Sequence, residues 1–299
     1  MSADAGGAAH ATAAHRVDRT GYAMVFWAAV FWSTGGFFVR LIPLDLWTLL
    51  GWRSLFGILG ILAFALWQRG ARGLEFRKLA TWHGLIVVLC AGIGMICFVA
   101  SNELTSVANV AVLYATLPFM TAGLAWAWIG ERPSHRTLIA GGAALVGVVV
   151  MAHGSIGGGH LLGDSIAVAM TLLTAILTVT VRRHRDTPIL EAVMAGGAVA
   201  MAAGLAFGSP ASATPIDLGL LALFGLLTMG GGMALFTVGA RRIPSAQAAL
   251  LGALETPLAP LWVWLAFAEV PPTATFIGGG LILAALAWHF AGQLRSRKG

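Results

Sequence analysis

Apolar residues run along this chain in stretches of bilayer length, interrupted at intervals by short polar or charged segments. The runs fall at 21–39, 45–67, 80–101, 105–129, 136–152, 162–181, 189–208, 217–239, 246–268 and 273–292. Most reach the ~20 residues that cross a hydrocarbon core as helix, and none shows the strict alternation of a half-buried strand. The pattern predicts an all-α membrane protein of ten transmembrane helices. Connections such as Arg69 to Lys78, Arg182 to Asp186 and Gly208 to Pro215 separate the spans.

Composition agrees. Hydrophobic residues make up 58% of the 299 and charged residues only 10%, with mean hydropathy +0.85. A soluble domain carries about a quarter charged residues. The net charge of +6 does not mark a nucleic-acid surface, because the basic residues lie between apolar runs rather than on one face or tail. With the N-terminus in the cytoplasm, all of the 18 Lys and Arg residues except Arg40 and Arg53 fall in cytoplasmic segments. The positive-inside rule therefore places both termini in the cytoplasm and suits an even number of spans. Residues 1–20 have no apolar core and read as a flexible cytoplasmic tail, not a signal peptide, so the first helix is expected to stay; 293–299 form a second tail. Cys90 and Cys97 are seven residues apart in one apolar run. That is about 10.5 Å along a helix, too far for a disulfide.

The chain repeats itself. Glu131, Pro133, Thr137, Ile139, Gly141 and Gly142 recur 138 residues later as Glu269, Pro271, Thr275, Ile277, Gly279 and Gly280. One residue out of that register, Ser106 and Pro118 correspond to Ser245 and Pro257. Two units of five helices result, 21–152 and 162–292, and an odd number of spans per unit makes the second enter the membrane inverted. Charge follows the inversion: Arg132 and Arg136 give way to Val270 and Ala274, while Asn102 and Glu103 correspond to Arg241 and Arg242. Inverted repeats suit a secondary transporter, in which rocking one half against the other exposes a midplane site to each side in turn.

At these residues the sequence resembles the EamA-type members of the drug/metabolite transporter superfamily. The first unit carries the resemblance in Trp32-Ser33, Pro43, Arg53, Pro118, Gly130-Glu131-Arg132 and Gly141-Gly142. The second carries it in Ala246, Glu255, Pro257, Glu269 and Gly279-Gly280, without a counterpart of Arg53. The resemblance implies a ten-helix carrier of small metabolites in the bacterial inner membrane. Its proportions and aromatic-rich spans are similar to those of exporters of aromatic and neutral amino acids.

Arg53 and Glu255 are the ionisable residues deep within spans, each within roughly 5 Å of the midplane at 1.5 Å per residue. Charge in the membrane is costly unless paired or hydrated, which makes both functional candidates. They would meet the carboxylate and ammonium groups of a zwitterion, or pair with each other, or be satisfied by backbone and hydroxyl groups; Glu255 could also carry a coupling proton. Trp32, Ser33, Thr34, Tyr114, Thr116 and Thr256 would line the apolar cavity around them. Pro118 and Pro257, at corresponding points in two spans, are candidate hinges. The glycines at 141–142, 230–232 and 278–280 are read as close-packing points, and Glu131 and Glu269 as stabilising the junctions they occupy.

No His, Cys and carboxylate cluster has metal-ligand spacing, and no cofactor is expected. The expected partners are lipid and a small molecule, an amino acid first, with the chain acting as a monomer. Export of drugs or other metabolites is the alternative within transport. An intramembrane enzyme on lipid substrates lacks a nucleophile or acid cluster here, and a channel lacks a repeated polar filter. Arg53 alone gives little for a nucleotide phosphate to bind.

Overall fold

The computed structural model describes residues 19–70, 73–156, 160–243 and 245–296, and every regular element among them is helical. Of the expected tails, 1–18 and 297–299 lie outside the described residues, as do the expected cytoplasmic residues Arg16, Arg72, Arg297 and Lys298. Residues 19–20 instead open the first helix and 293–296 continue the last.

The helices are α1 (Arg19–Ser33), α2 (Gly35–Leu41), α3 (Leu46–Arg69), α4 (Trp82–Leu104), α5 (Val107–Tyr114), α6 (Leu117–Ile129) and α7 (His135–Ile156) in the first half of the chain. The second half contains α8 (Leu161–Arg183), α9 (Ile189–Phe207), α10 (Pro215–Gly225), a π-helical stretch (Leu226–Gly232), α11 (Met233–Gly239), α12 (Ser245–Gly252), α13 (Glu255–Phe267) and α14 (Thr273–Ser296). Among the described residues, eight continuous or slightly broken helices are long and apolar enough to cross a membrane, and Thr273–His289 adds a shorter apolar one.

Local chemistry sets the ends. Asp45 accepts from the Trp47 and Thr48 amides at 3.0 Å each and starts α3. Partial burial raises the Asp45 carboxyl, but the hydrogen bonds from Thr48 and Trp47 outweigh it and hold the group below its ordinary range. Thr81 and Ser106 cap α4 and α5 in the same way, and Thr214 with Asp217 forms a capping box at α10. Gly130, at φ 72°, ends α6 in the left-handed conformation that favours glycine. Within α8, the hydroxyls of Thr171, Thr174, Thr178 and Thr180 bond to carbonyls four residues back, which keeps them satisfied away from water.

The two halves interleave. α3 packs on α9, α4 on α8 and α9, α7 on α14, α1 on α11, and α5 on α13. Exchanging the halves maps most of these pairings onto pairings that are present: α4 on α8 becomes α11 on α1, α4 on α9 becomes α10 on α3, and α3 on α9 and α7 on α14 map onto themselves. Glycine makes one such contact possible, since a Cβ at Gly147 would fall 2.6 Å from the Gly278 carbonyl oxygen. The Gly141-Gly142 pair is not at that approach; a Cβ at Gly142 would meet no described residue within 4 Å.

Alternate connections gather at opposite ends of the bundle. Tyr22, at the start of α1, donates to Gln247 of α12, and Arg69, ending α3, meets Glu191 of α9 at 3.4 Å. These share an end with Arg77, Lys78, Arg132, Arg136, Arg182, Arg183, Arg185, Arg241 and Arg242, the basic end. At the opposite end Arg40 closes on Glu269. There a buried cluster joins four segments: Thr105 donates to Asp164 at 2.7 Å, Asn109 to Asp164 at 3.0 Å, and the Thr275 hydroxyl to the side-chain amide oxygen of Asn109.

Candidate transport site

Besides the π-helical stretch between α10 and α11, three segments change course near their middles, and these breaks position Ser33, Tyr114, Glu255 and Thr256, while Arg53 comes from the continuous α3. The first bends at Thr34 between α1 and α2; the fourth is interrupted between Tyr114 and Leu117; α12 and α13 are separated between Gly252 and Glu255. The last two interruptions fall at the same 138-residue register as the repeat. Each turns tightly, with Thr116 N bonding to the Leu113 carbonyl at 3.1 Å and Thr256 N to the Ala253 carbonyl at 3.2 Å. Pro118 and Pro257 follow the interruptions rather than bending a continuous helix. As second and third residues of α6 and α13, they stand where a missing N–H costs no helical hydrogen bond.

A cavity of about 340 Å³ opens where these segments meet, lined by Trp32, Ser33, Arg53, Tyr114, Glu255 and Thr256 together with residues of α4 and α8. Two further lobes adjoin it. One of about 210 Å³, bounded by Arg53, Phe98, Thr228 and Met233, lies against the π-helical stretch. The other, about 250 Å³, is lined by Tyr114, Pro118, Phe236, Ala248 and Ala249 and leads toward the basic end. Trp32 and Glu255 border all three.

Of the residues expected from sequence, Thr34 and Thr116 are not on these walls. Thr34 turns its hydroxyl to the Phe31 carbonyl at 2.7 Å, and buried Thr116 donates to the Leu113 carbonyl at 2.6 Å. Pro257 is exposed and lines none of the three spaces. Sequence reasoning missed Met95, Phe98 and Asn102 of α4 and Met170 and Thr174 of α8, which complete the wall. Their spacing of three, four and seven was a signal of shared helix faces, but not of which faces surround a void.

Arg53 is 7% exposed, and its guanidinium lies over two aromatic rings, 5.2 Å from the Phe98 centroid and 4.6 Å from that of Phe224. Phe224 is itself stacked on Phe38 at 5.1 Å. The rings supply cation–π attraction but no hydrogen-bond acceptor, and the buried Nε and Nη1 of Arg53 have no hydrogen-bond partner among the described residues. A guanidinium is permanently charged and offers five donors, so leaving buried ones unpaired is costly. Arg53 and Glu255 make no ion pair with each other in this conformation; the ion pairs among the described residues are Arg40–Glu269, Arg69–Glu191, Lys78–Glu75 and Arg182–Glu131. The cavity thus has a cation without an ion-pair partner among the described residues and a separate carboxyl group on otherwise largely apolar walls.

The tryptophans are held in place. Trp32 Nε1 donates to the Thr228 carbonyl in the π-helical stretch at 2.9 Å, and its ring packs on Phe236 at 5.1 Å. Trp262 Nε1 donates to the Ser33 hydroxyl at 2.8 Å, which passes its own hydrogen to the Val30 carbonyl at 2.7 Å. The cavity floor is therefore shared between the two halves of the chain.

A membrane-embedded helical bundle with a charged pocket where its halves meet is the architecture of a transporter. Residues 19–152 and 159–290 each match the model of the EamA-like transporter family, and the chain belongs to that family. It is a multi-pass membrane transporter of the drug/metabolite type, with two copies of the family's unit. No curated protein matches the chain. A solved structure described only as the crystal structure of a protein is similar in fold, with a TM-score of 0.62 and 18% identity over 90% of this chain and 96% of that one.

Proposed function

We propose that this transporter exports small zwitterions, aromatic and neutral amino acids foremost, across the bacterial inner membrane by alternating access. The eight long helices, α12 with α13, and α14 make ten spans. Residues 21–152 and 162–292 are inverted repeats, and both termini are cytoplasmic, so the basic end faces inward. The supporting observation is Arg53: buried and lacking partners for Nε and Nη1, on the same cavity as Glu255 but not paired with it. A carboxylate is the small acceptor that a guanidinium fork fits bidentately. Glu255 then meets the ammonium group, and Trp32, Tyr114 and Phe98 pack on the side chain. Serving both ends of an amino acid explains two separate charges better than either charge alone would.

Counterflow of labelled phenylalanine, methionine and threonine into proteoliposomes of the purified protein, with and without an imposed proton gradient, tests this. Saturable exchange is expected, and a response to the gradient would assign Glu255 the coupling proton as well. Arg53→Ala and Glu255→Gln should each lower apparent affinity or exchange by roughly 30-fold or more, the effect of removing one partner of a buried charged contact, while leaving membrane insertion intact. Wild-type exchange by both variants would remove them from the site. Exchange of other metabolites with no amino-acid exchange would leave drug or metabolite export as the function of the same cavity.

A further inference from the structure

The repeated glutamates, Glu131 and Glu269, lie outside the cavity and have no part in the substrate reading above. The structure gives them partners. Glu269, at the junction between α13 and α14, holds Arg40 at the end of α2 with Nε to Oε2 at 3.1 Å. Glu131, at the corresponding junction between α6 and α7, holds Arg182 at the end of α8 at 2.7 Å. Each pair ties the close of the first span in one half to the fourth-to-fifth junction of the other half. Exchanging the halves turns one pair into the other, and the pairs stand at opposite ends of the bundle.

They differ in their surroundings. Arg40 and Glu269 are each 28% exposed, and a second Arg40 nitrogen donates to the Thr105 carbonyl at 3.0 Å, beside the buried Asn109–Asp164 cluster. Arg182 and Glu131 are 54% and 45% exposed. The cavity follows the same asymmetry: the residues that bound it on the Arg40 side, Gly36, Asn102 and Val107, are buried, while its third lobe runs along Ala248 and exposed Ala249 toward the basic end. A half-buried pair is less screened by solvent than an exposed one, so closing an end strengthens the latch at that end.

We propose that Arg40–Glu269 and Arg182–Glu131 are matched latches of the transport cycle, and that their balance sets which face of the membrane the cavity opens to. The proposal rests on the alternating-access reading but not on the substrate. Arg40–Glu269 holds the outer face closed in this conformation; when the halves rock, it breaks and Arg182–Glu131 becomes the shielded pair. A ligand-free protein distributes between the two states according to their free-energy difference, so weakening one latch moves the population toward opening at its own face and away from the other.

Two reporter cysteines test this in a Cys90→Ala, Cys97→Ala background: Ala111→Cys beneath the Arg40 end and Ala249→Cys in the lobe facing the basic end. Their labelling by a membrane-impermeant maleimide is followed in right-side-out and inside-out vesicles. Glu269→Gln should raise the Ala111→Cys rate about tenfold and lower that of Ala249→Cys, and Glu131→Gln should do the reverse. Glu269→Asp, which keeps the charge, should stay within about twofold. Arg40→Gln reads the same latch should Glu269→Gln fail to insert. Unchanged rates, or faster labelling at both reporters, would overturn the latches in favour of inert or merely structural pairs. Because labelling needs no substrate, reciprocal shifts without amino-acid exchange would sink the substrate reading and leave the latches standing.

Discussion

A buried arginine has no neutral form to retreat to, so what surrounds Arg53 must either compensate its charge or leave it available to a ligand. Phe98 and Phe224 hold its plane without occupying its donors. Phe98→Leu removes one face of this clamp with little change in volume. We expect a severalfold rise in KM for exchange with a nearly unchanged maximal rate, because the guanidinium loses its fixed orientation rather than its charge. A proportional loss of rate and protein yield instead would make Phe98 a packing residue. Arg53 and Glu255 were legible in the sequence because a charge inside an apolar run is costly wherever it sits. Thr34 and Thr116 were not separable from Ser33 and Thr256 in the same way. A helical hydroxyl can bond to a carbonyl three or four residues back, as both threonines do, and composition does not reveal which hydroxyls turn inward.

Among the elements, repetition in sequence marks related positions without making them equivalent in packing. Gly142 and Gly280 correspond in the repeat, and a Cβ at either meets no described residue within 4 Å, whereas the α7–α14 contact closes on Gly147 and Gly278. Gly278→Leu would drive a side chain into the Gly147 carbonyl and Met151. We expect it to destabilise the protein by about 1–3 kcal/mol, the usual cost of overpacking. Gly142→Ala should be neutral or stabilising by up to about 1 kcal/mol through helix propensity. Thermal unfolding in detergent compares them, and equal midpoints would mean that α7 and α14 can separate freely. The helix interruptions were likewise visible only in outline. Pro118 and Pro257 pointed to the right segments, but the turns at 115–116 and 253–254 precede them, where sequence carries no comparable signal.

For the whole molecule, the sequence revealed two units but not that each lacks a core of its own. Amphipathic periodicity could not show this, because lipid is as apolar as the interior and both faces of such helices read alike. In the structure, α3 meets α9, α4 meets α8 and α7 meets α14, so the main helix contacts cross between the halves. The Arg40–Glu269 and Arg182–Glu131 pairs cross between them too. A chain severed between Ile156 and His160 should therefore reassemble when both pieces are made together. The first piece keeps Arg69, Arg77 and Lys78 to orient it, and the second has Arg182, Arg183, Arg185, Arg241 and Arg242, so the positive-inside rule inserts each piece in its native sense without the covalent link. An affinity tag on one piece should then recover the other in near-equal amount, whereas either piece made alone should yield little monodisperse protein. If a single piece instead purifies as a stable monomer, the two units are independent domains, and the proposed rocking of interleaved halves fails.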